Sequence, residues 1–527
     1  MPNKDILLIH PPAVKPAEPP LGTAVLLSHL GKRGIRAAAI DANLESYLYL
    51  LGEERLSAAA GGAPSTHVRR ALRHAPGSLS FLRSPAAAES YPRYAAAVRH
   101  LGGALSAHRG PSGAERLTLG DYLHEELSEF SPEALSLLAS GEKETIFSGY
   151  FRCLAERIRE MRPGIVAISI HYRHQVLPAF ELAGLLRRRL PESKILGGGG
   201  MISSWRKALR REGLGFSPFH AVGFGPGERA LADAAAGIPG GSVFLEEDGE
   251  VEFLPDYRFA SLPDYLSPEP VLPVASSRGC WWGKCAFCPE AVAPVHPFRA
   301  ADADAFPALL RELSLRYGVS RFHLTDNAIP PAVLRSMAAR KELLRGIRWH
   351  GFARFGPELL DPGLVADLAD AGCGMLQLGL ESGSQRLLDR MGKGTRVAEA
   401  AKVLSNLSRA GISSYVYVML GFPGETRDDA ERTRCFLADR AGEIGWLNLS
   451  ILNLPRDAEG TCPEYCDPEE PLGLYRPVPE GDGWGRAQAR RFLQRELLGE
   501  AAIREIAGRT PPWFTSSHAF FFRPGAA

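Results

Sequence analysis

The stretch Ser276–Glu290, SSRGCWWGKCAFCPE, constrains this chain more than any other, because Cys280, Cys285 and Cys288 fall within nine residues of it. An apolar run of strand length, Leu272–Ala275, precedes them, so the cysteines are expected on the loop at the carboxyl end of a buried strand. In barrel enzymes that end is the catalytic face. Three thiolates from one tight loop each bind one iron of a cubane cluster and leave the fourth iron open. The alternatives are a zinc site or three structural thiols. Structural zinc takes four protein ligands, and no fourth Cys or His stands nearby at suitable spacing. The cluster is the better reading. Eight cysteines in 527 residues do not form a disulfide framework.

The N-terminal half reads as a parallel doubly wound sheet. Asp5–His10 (DILLIH) is a buried strand, Leu21–Leu30 a helix, and Ile35–Ile40 a second strand ending at Asp41. From about Leu44 to Glu160 the chain is rich in Ala, Leu and Arg without clear strands, which predicts a helical insertion into the sheet. The sheet resumes at Gly164–Ile170, followed by a helix over Leu177–Arg189. The strand Lys194–Leu196 runs into Gly197–Gly200, and Ala221–Gly223 into Gly225-Pro226-Gly227-Glu228. Glycines at the carboxyl ends of parallel strands let a ligand approach the backbone closely. No G-x-G-x-x-G dinucleotide fingerprint follows the first strand.

Downstream of the cysteines, strands and helices alternate again. Arg321–Leu324 ends at Thr325-Asp326-Asn327, and Trp349–Ala353 ends at Arg354. Met375–Leu380 ends at Glu381-Ser382-Gly383-Ser384-Gln385, with Lys393-Gly394 beyond. Tyr415–Leu420 leads into Gly421-Phe422-Pro423-Gly424-Glu425-Thr426, and Trp446–Leu452 is a sixth strand. Each polar residue stands just after a strand, where barrel catalytic groups belong. Taken singly, Asp326 or Arg354 is equally a helix cap or a solvated loop charge.

These pieces carry a resemblance. Ile9-His10-Pro11-Pro12, Pro20-Leu21-Gly22, Asp41, Ser169, Gly197-Gly198 and Gly225–Glu228 resemble the cobalamin-binding domain found ahead of many radical S-adenosylmethionine (SAM) domains. The Asp-x-His-x-x-Gly motif whose histidine ligates cobalt in methionine-synthase-like proteins is not present. The cysteines resemble the radical SAM signature, usually Cys-x3-Cys-x2-Cys, with four residues, Trp281–Lys284, in the first gap. Longer gaps occur in some radical SAM groups, including peptide-modifying C-methyltransferases with a similar Arg-Gly-Cys-Trp-Trp-Gly opening. Gly-Leu-Glu-Ser-Gly-Ser-Gln with a later Lys-Gly, and Gly-Phe-Pro-Gly-Glu-Thr, are further hallmarks of these proteins.

The resemblance, to cobalamin-dependent radical SAM proteins of the class B methyltransferase type, implies an α/β fold. Residues 1–250 form a Rossmann-like cobalamin-binding-type domain with its insertion at about 44–160. A linker at 251–270, a partial (β/α)6 radical SAM barrel at 271–460 and a small C-terminal extension at 461–527 follow. It implies that Cys280, Cys285 and Cys288 bind a [4Fe-4S] cluster, and that Phe287, Asp326, Arg354, Glu381, Ser382 and Gly421 contact SAM. Ser169, Gly197, Gly198, Gly225 and Glu228 are the implied cobalamin contacts. The implied chemistry is reductive SAM cleavage to a 5'-deoxyadenosyl radical, then methylation of an unactivated carbon from methylcobalamin. The alternatives are a radical rearrangement or cyclisation without cobalamin and, less well supported, an iron–sulfur sensor or electron carrier. A flavodoxin or ferredoxin is the implied electron donor, and the substrate is a peptide, lipid or small molecule. A methylthiotransferase fits poorly, because the N-terminal half holds only Cys153.

Lys+Arg of 61 against Asp+Glu of 60 leaves a net charge of +1, which gives no electrostatic reason to propose nucleic acid or an anionic membrane as partner. MPNKDILLIHPP lacks a secretory signal, and no apolar run has membrane-spanning length, so a cytoplasmic protein is expected. Cys153, Cys373 and Cys435 lie in helical contexts and are expected as buried core thiols. Cys462 and Cys466 form a candidate auxiliary-cluster or redox pair. The tail, a helix followed by TPPWFTSSHAFFF, either closes the barrel mouth with His518 and its aromatics or docks on a hydrophobic patch.

Overall fold

A computed structural model describes residues 5–60, 65–109, 113–212, 217–237, 243–246, 251–292, 297–456, 458, 470–476 and 484–522. They divide into two units at Pro270/Val271, with short returns to the first unit near the C-terminus.

The first unit is built on six parallel strands: β1 (Ile6–His10), β2 (Ala37–Asp41), β3 (Ile165–Ser169), β4 (Lys194–Gly198), β5 (Ala221–Phe224) and β6 (Val243–Glu246), in the order β2-β1-β3-β4-β5-β6. β1 is buried at every position, as a strand covered on both faces must be. Leu26 and Leu30 of the first helix pack with Leu231 and Ala234 over Ile6, Leu8 and Ile165. Strand order reverses between β1 and β3, and this switch point opens a crevice at the carboxyl ends of the strands.

The insertion between β2 and β3 starts at once, because the Asp41 carboxylate accepts the Leu44 N–H (3.0 Å) and caps the helix Ala42–Leu50. It is mainly helical, but the expectation of no strands is corrected: Glu115–Leu117 and Tyr122–His124 form an antiparallel hairpin. Its turn is set by the Thr118 hydroxyl, which accepts the Gly120 and Asp121 N–H groups, and three-residue strands are too short to show an alternating pattern. Residues 251–270 group with the first unit, where Tyr265 donates to Asp41 (2.7 Å) and the Leu266 N–H to the Pro16 carbonyl.

The second unit is a six-stranded parallel sheet, β7 (Val271–Val274), β8 (Arg321–Leu324), β9 (Arg348–Ala353), β10 (Cys373–Glu381), β11 (Ser413–Leu420) and β12 (Trp446–Ile451), each strand paired with the next. Helices such as Phe306–Tyr317, Val397–Arg409 and Arg427–Asp439 connect consecutive strands, giving an open (β/α)6 barrel.

The tail docks at the amino ends of these strands, not at the mouth. Phe520 packs on His350 (ring centroids 4.5 Å apart), Arg321 lies over Phe520 and Phe521, and Ala519 joins Met375, Tyr415 and Trp446. His350 itself stacks on His323 of the neighbouring strand. The thiol expectations also change. Cys373 is buried but opens β10, whereas Cys153 and Cys435 are exposed on helices, the side where no core contact is made. Cys462 and Cys466 lie outside the described residues. Among the described residues no helix is long and apolar enough to cross a membrane.

Candidate functional site

The cysteine loop leaves β7 and is pinched at its root, where Ser277–Arg278 pairs with Arg299–Ala300. Cys285 is buried and Cys280 and Cys288 are half-buried, all three as free thiols. Burial pushes the Cys288 thiol up to about 11, with Cys285 and Cys280 adding to the effect. The three sulfurs are therefore electrostatic neighbours. Among the described residues, no three His, Cys, Asp or Glu side chains converge on the position of a single ion.

The far wall of the loop comes from the segment after β10. The Ala286 N–H donates to the Met391 carbonyl (2.9 Å) and Trp282 Nε1 to the Gly392 carbonyl (2.9 Å). Gly394 has φ +66°, and its missing Cβ is what makes room for the Trp282 ring. Lys393 Nζ and Glu381 Oε1 form an ion pair at 2.7 Å, with side chains only 10% and 12% exposed. Lys393 lies 5.8 Å from the Phe287 ring, which in turn meets Phe422 edge-on. Glu381 has φ +64° at a bulge in β10, a conformation a non-glycine residue keeps only when its surroundings impose it and one that clusters at functional sites. A Cβ at Gly379 would run into the Glu381–Lys393 pair.

Other predicted SAM contacts are drawn into the scaffold. Asp326 is 1% exposed and accepts from the Ser276 N–H and hydroxyl and the Ser277 hydroxyl, so it ties down the root of the cysteine loop. Burial raises its pKa. Ser382 is fully buried, its hydroxyl shared with Thr433 and accepting the Ser384 N–H. Arg354 lies 4.3 Å from the Trp282 ring and donates to the Lys393 carbonyl. The Gly421 N–H is taken by Glu425, a buried carboxyl raised to about 7 by burial. Phe287 and Glu381 remain on the loop-facing wall. Lys393 and the two tryptophans complete it, and the signal for them was their place in the same motifs.

At the switch point of the first unit, Ser169 Oγ lies 2.9 Å from His171 Nε2 at the end of β3. Gln175 clamps this corner, accepting the His171 and Tyr172 N–H groups and donating to the Pro11 carbonyl (2.7 Å). His10 ends β1, and burial, helped by His171, lowers its pKa to about 3, so it is neutral at physiological pH. Gly198 is open, with no atom closer than 3.8 Å to a Cβ built on it, and Gly225 is half-buried with its N–H on Ser203. Gly197 and Glu228 lie behind this surface. Gly197 packs under the Phe219 ring, and Glu228 is fully buried with Oε1 accepting the Glu252 N–H. His171 and Gln175 had no motif to announce them; their position just past a central strand was the available signal.

Residues 274–437 match the Radical SAM superfamily model. An uncharacterized methyltransferase of Pyrococcus horikoshii is 24% identical over 185 residues, 34% of this chain and 39% of that protein. The tRNA-2-methylthio-N(6)-dimethylallyladenosine synthase of Escherichia coli is 29% identical over 143 residues, 26% of this chain and 30% of that one. The matches thus span well under half of these curated relatives. Among solved structures, the radical SAM methyltransferase TsrM from Kitasatospora setae has a TM-score of 0.53 at 17% identity, covering 89% of this chain and 75% of that one. The cobalamin-dependent SAM radical enzyme OxsB has a TM-score of 0.52 at 14% identity, covering 96% of this chain and 58% of that one. Likeness at such identity is likeness of fold. Residues 274–437 of this chain thus match the radical SAM superfamily, in a chain whose fold is similar to that of the cobalamin-dependent radical SAM enzymes TsrM and OxsB.

Proposed function

We propose that the chain binds a [4Fe-4S] cluster through Cys280, Cys285 and Cys288 and uses it with SAM and cobalamin to methylate an unactivated carbon. The observation that carries this reading is the set of three free, neighbouring thiols on one loop past the first barrel strand, walled by the Lys393–Glu381 pair. When bound, the cluster supplies one electron for SAM cleavage to methionine and a 5'-deoxyadenosyl radical, and cobalamin supplies the methyl group. The chain's own residues orient and shield these groups.

Cys280, Cys285 and Cys288 would each hold one iron of the cluster, leaving one iron open to SAM. Glu381 and Lys393 present a carboxylate and an ammonium to SAM's own ammonium and carboxylate, and Phe287 offers an apolar face to the adenine. Asp326, Arg354 and Ser382 act by positioning: they fix the loop root, the tryptophan pair and the turn after β10. Gly421 shapes the adenine side through its bond to Glu425. In the first unit, Ser169, Gly198 and Gly225 line the corrin crevice, and Gly197 and Glu228 support it from behind. The absence of an Asp-x-His-x-x-Gly motif fits a cobalamin held without that histidine. TsrM was solved with cobalamin and a [4Fe-4S] cluster, and OxsB with aqua-cobalamin and SAM, which supports the same cofactor set here. A flavodoxin- or ferredoxin-type donor and a reducing, cytoplasmic setting complete the reading.

The test is anaerobic purification, reconstitution with iron, sulfide and hydroxocobalamin, and assay of 5'-deoxyadenosine under reduction. Iron-charge-transfer absorbance and SAM cleavage, both lost in Cys285→Ala, support the cluster assignment. Corrinoid absorbance that survives desalting supports methyl transfer; its loss favours radical rearrangement or cyclisation without cobalamin. A wild-type protein that takes up no iron rules the proposal out.

A further inference from the structure

The first cysteine gap is one residue longer than the usual radical SAM signature, and two of its four residues are Trp281 and Trp282. Their indole N–H groups have different fates. Trp282 Nε1 donates to the Gly392 carbonyl, and its ring fills the space left by Gly394, so this residue braces the loop against the opposite wall. Trp281 Nε1 is sealed from solvent and has no hydrogen-bond partner among the described residues. A buried N–H left unpaired is costly and calls for an explanation. Its ring is not loose: it meets Trp282 edge-on at 6.2 Å, and the Arg354 guanidinium, anchored on the Lys393 carbonyl, lies 5.7 Å from its centroid.

Resting on the cluster assignment above, we propose that the Trp281 N–H donates a hydrogen bond to a sulfur of the cluster, and that the added residue in the gap serves to place it there. Trp281 follows Cys280 directly in the chain. Cluster and thiolate sulfurs are anionic acceptors, and reduction adds negative charge to them. A fixed N–H donor therefore stabilises the reduced cluster more than the oxidised one and raises the reduction potential. Trp281 is thus a positioning residue that tunes the electron step without touching SAM.

The experiment is an EPR-monitored redox titration of the reconstituted full-length protein, wild type against Trp281→Phe, which removes the N–H and keeps an aromatic ring. The expected result is unchanged iron and sulfide content with a lower midpoint potential, so that less cluster is reduced at the same reductant poise. An unchanged midpoint at full loading overturns the proposal. Wild-type protein labelled with indole-15N tryptophan gives an independent reading: ENDOR of the reduced cluster should show a 15N coupling that Trp281→Phe lacks. If Trp281→Phe fails to load, the wild-type 15N coupling decides alone, and its absence overturns the proposal. A wild type that binds no cluster overturns the cluster assignment itself, an outcome separate from a loaded cluster that ignores Trp281.

Discussion

The two units each present the carboxyl edge of a parallel sheet, but the edges are furnished differently. In the first unit the edge is glycine, serine and imidazole: Gly198, Gly225, Ser169, His171 and His10, the last kept neutral by burial. In the second it is thiols and a shielded ion pair: Cys280, Cys285, Cys288, Lys393 and Glu381. The first suits a large ligand held by shape and backbone proximity. The second suits one held by covalent ligation and charge. Under the proposed function the same architecture serves two modes of binding, and the two should fail independently.

The largest expected effect is that independence. Cys285→Ala should abolish cluster absorbance and 5'-deoxyadenosine formation while leaving corrinoid retention intact. Gly198→Val should do the reverse, because its side chain enters open space rather than protein. Loss of both properties in either variant would break the comparison. Next is Lys393→Met, which strands Glu381 as a buried lone charge and should destabilise the second unit by about 3 kcal/mol in denaturant unfolding. SAM affinity should fall with it. Phe520→Ala, at the amino end of the barrel, should cost about 2 kcal/mol by thermal unfolding, since an aromatic packed on His350 is truncated. Because that end is remote from the thiols, cluster loading should be unchanged; impaired loading would count against the placement of the tail.

The smallest effect is a pH dependence. Glu181 is raised from 4.5 to about 7 by burial, although Thr145 and Ser148 donate to it. A carboxyl whose folded pKa lies above its unfolded value contributes stability that is complete below pH 4.5 and is lost as pH rises through about 7. Unfolding stability should therefore fall between those values, and Glu181→Gln should flatten that part of the profile. An unchanged slope in the variant would assign the dependence to other buried carboxyls.

The strands at both edges were legible in the sequence because each is a short apolar run followed by polar or glycine residues. β8 was read to the residue and the others to within a few positions, except β6 (Val243–Glu246), which the sequence reading did not include. What the sequence does not show at the site is partnership. Asp326 stands where a ligand contact was expected, yet its carboxylate is consumed by Ser276 and Ser277, about fifty residues earlier. Ser382 likewise spends its hydroxyl on Thr433 of a helix beyond the next strand. The tail's aromatics and His518 suited either a lid or a docked segment, and only the packing on Phe520 and Ala519 decided for the latter.

By itself, then, the sequence determined the things that depend on local spacing: three thiols on one strand-end loop, the repeated strand–helix alternation, and the set of residues at strand termini. Tertiary structure decided which of those polar residues keep their donors and acceptors for a ligand. That choice depends on neighbours distant in the chain, since a buried carboxylate or hydroxyl must be satisfied by whatever element folds against it. Lys393 meeting Glu381 follows that rule, the Trp281 N–H, unpaired among the described residues, is an exception to it, and neither is encoded in any one segment.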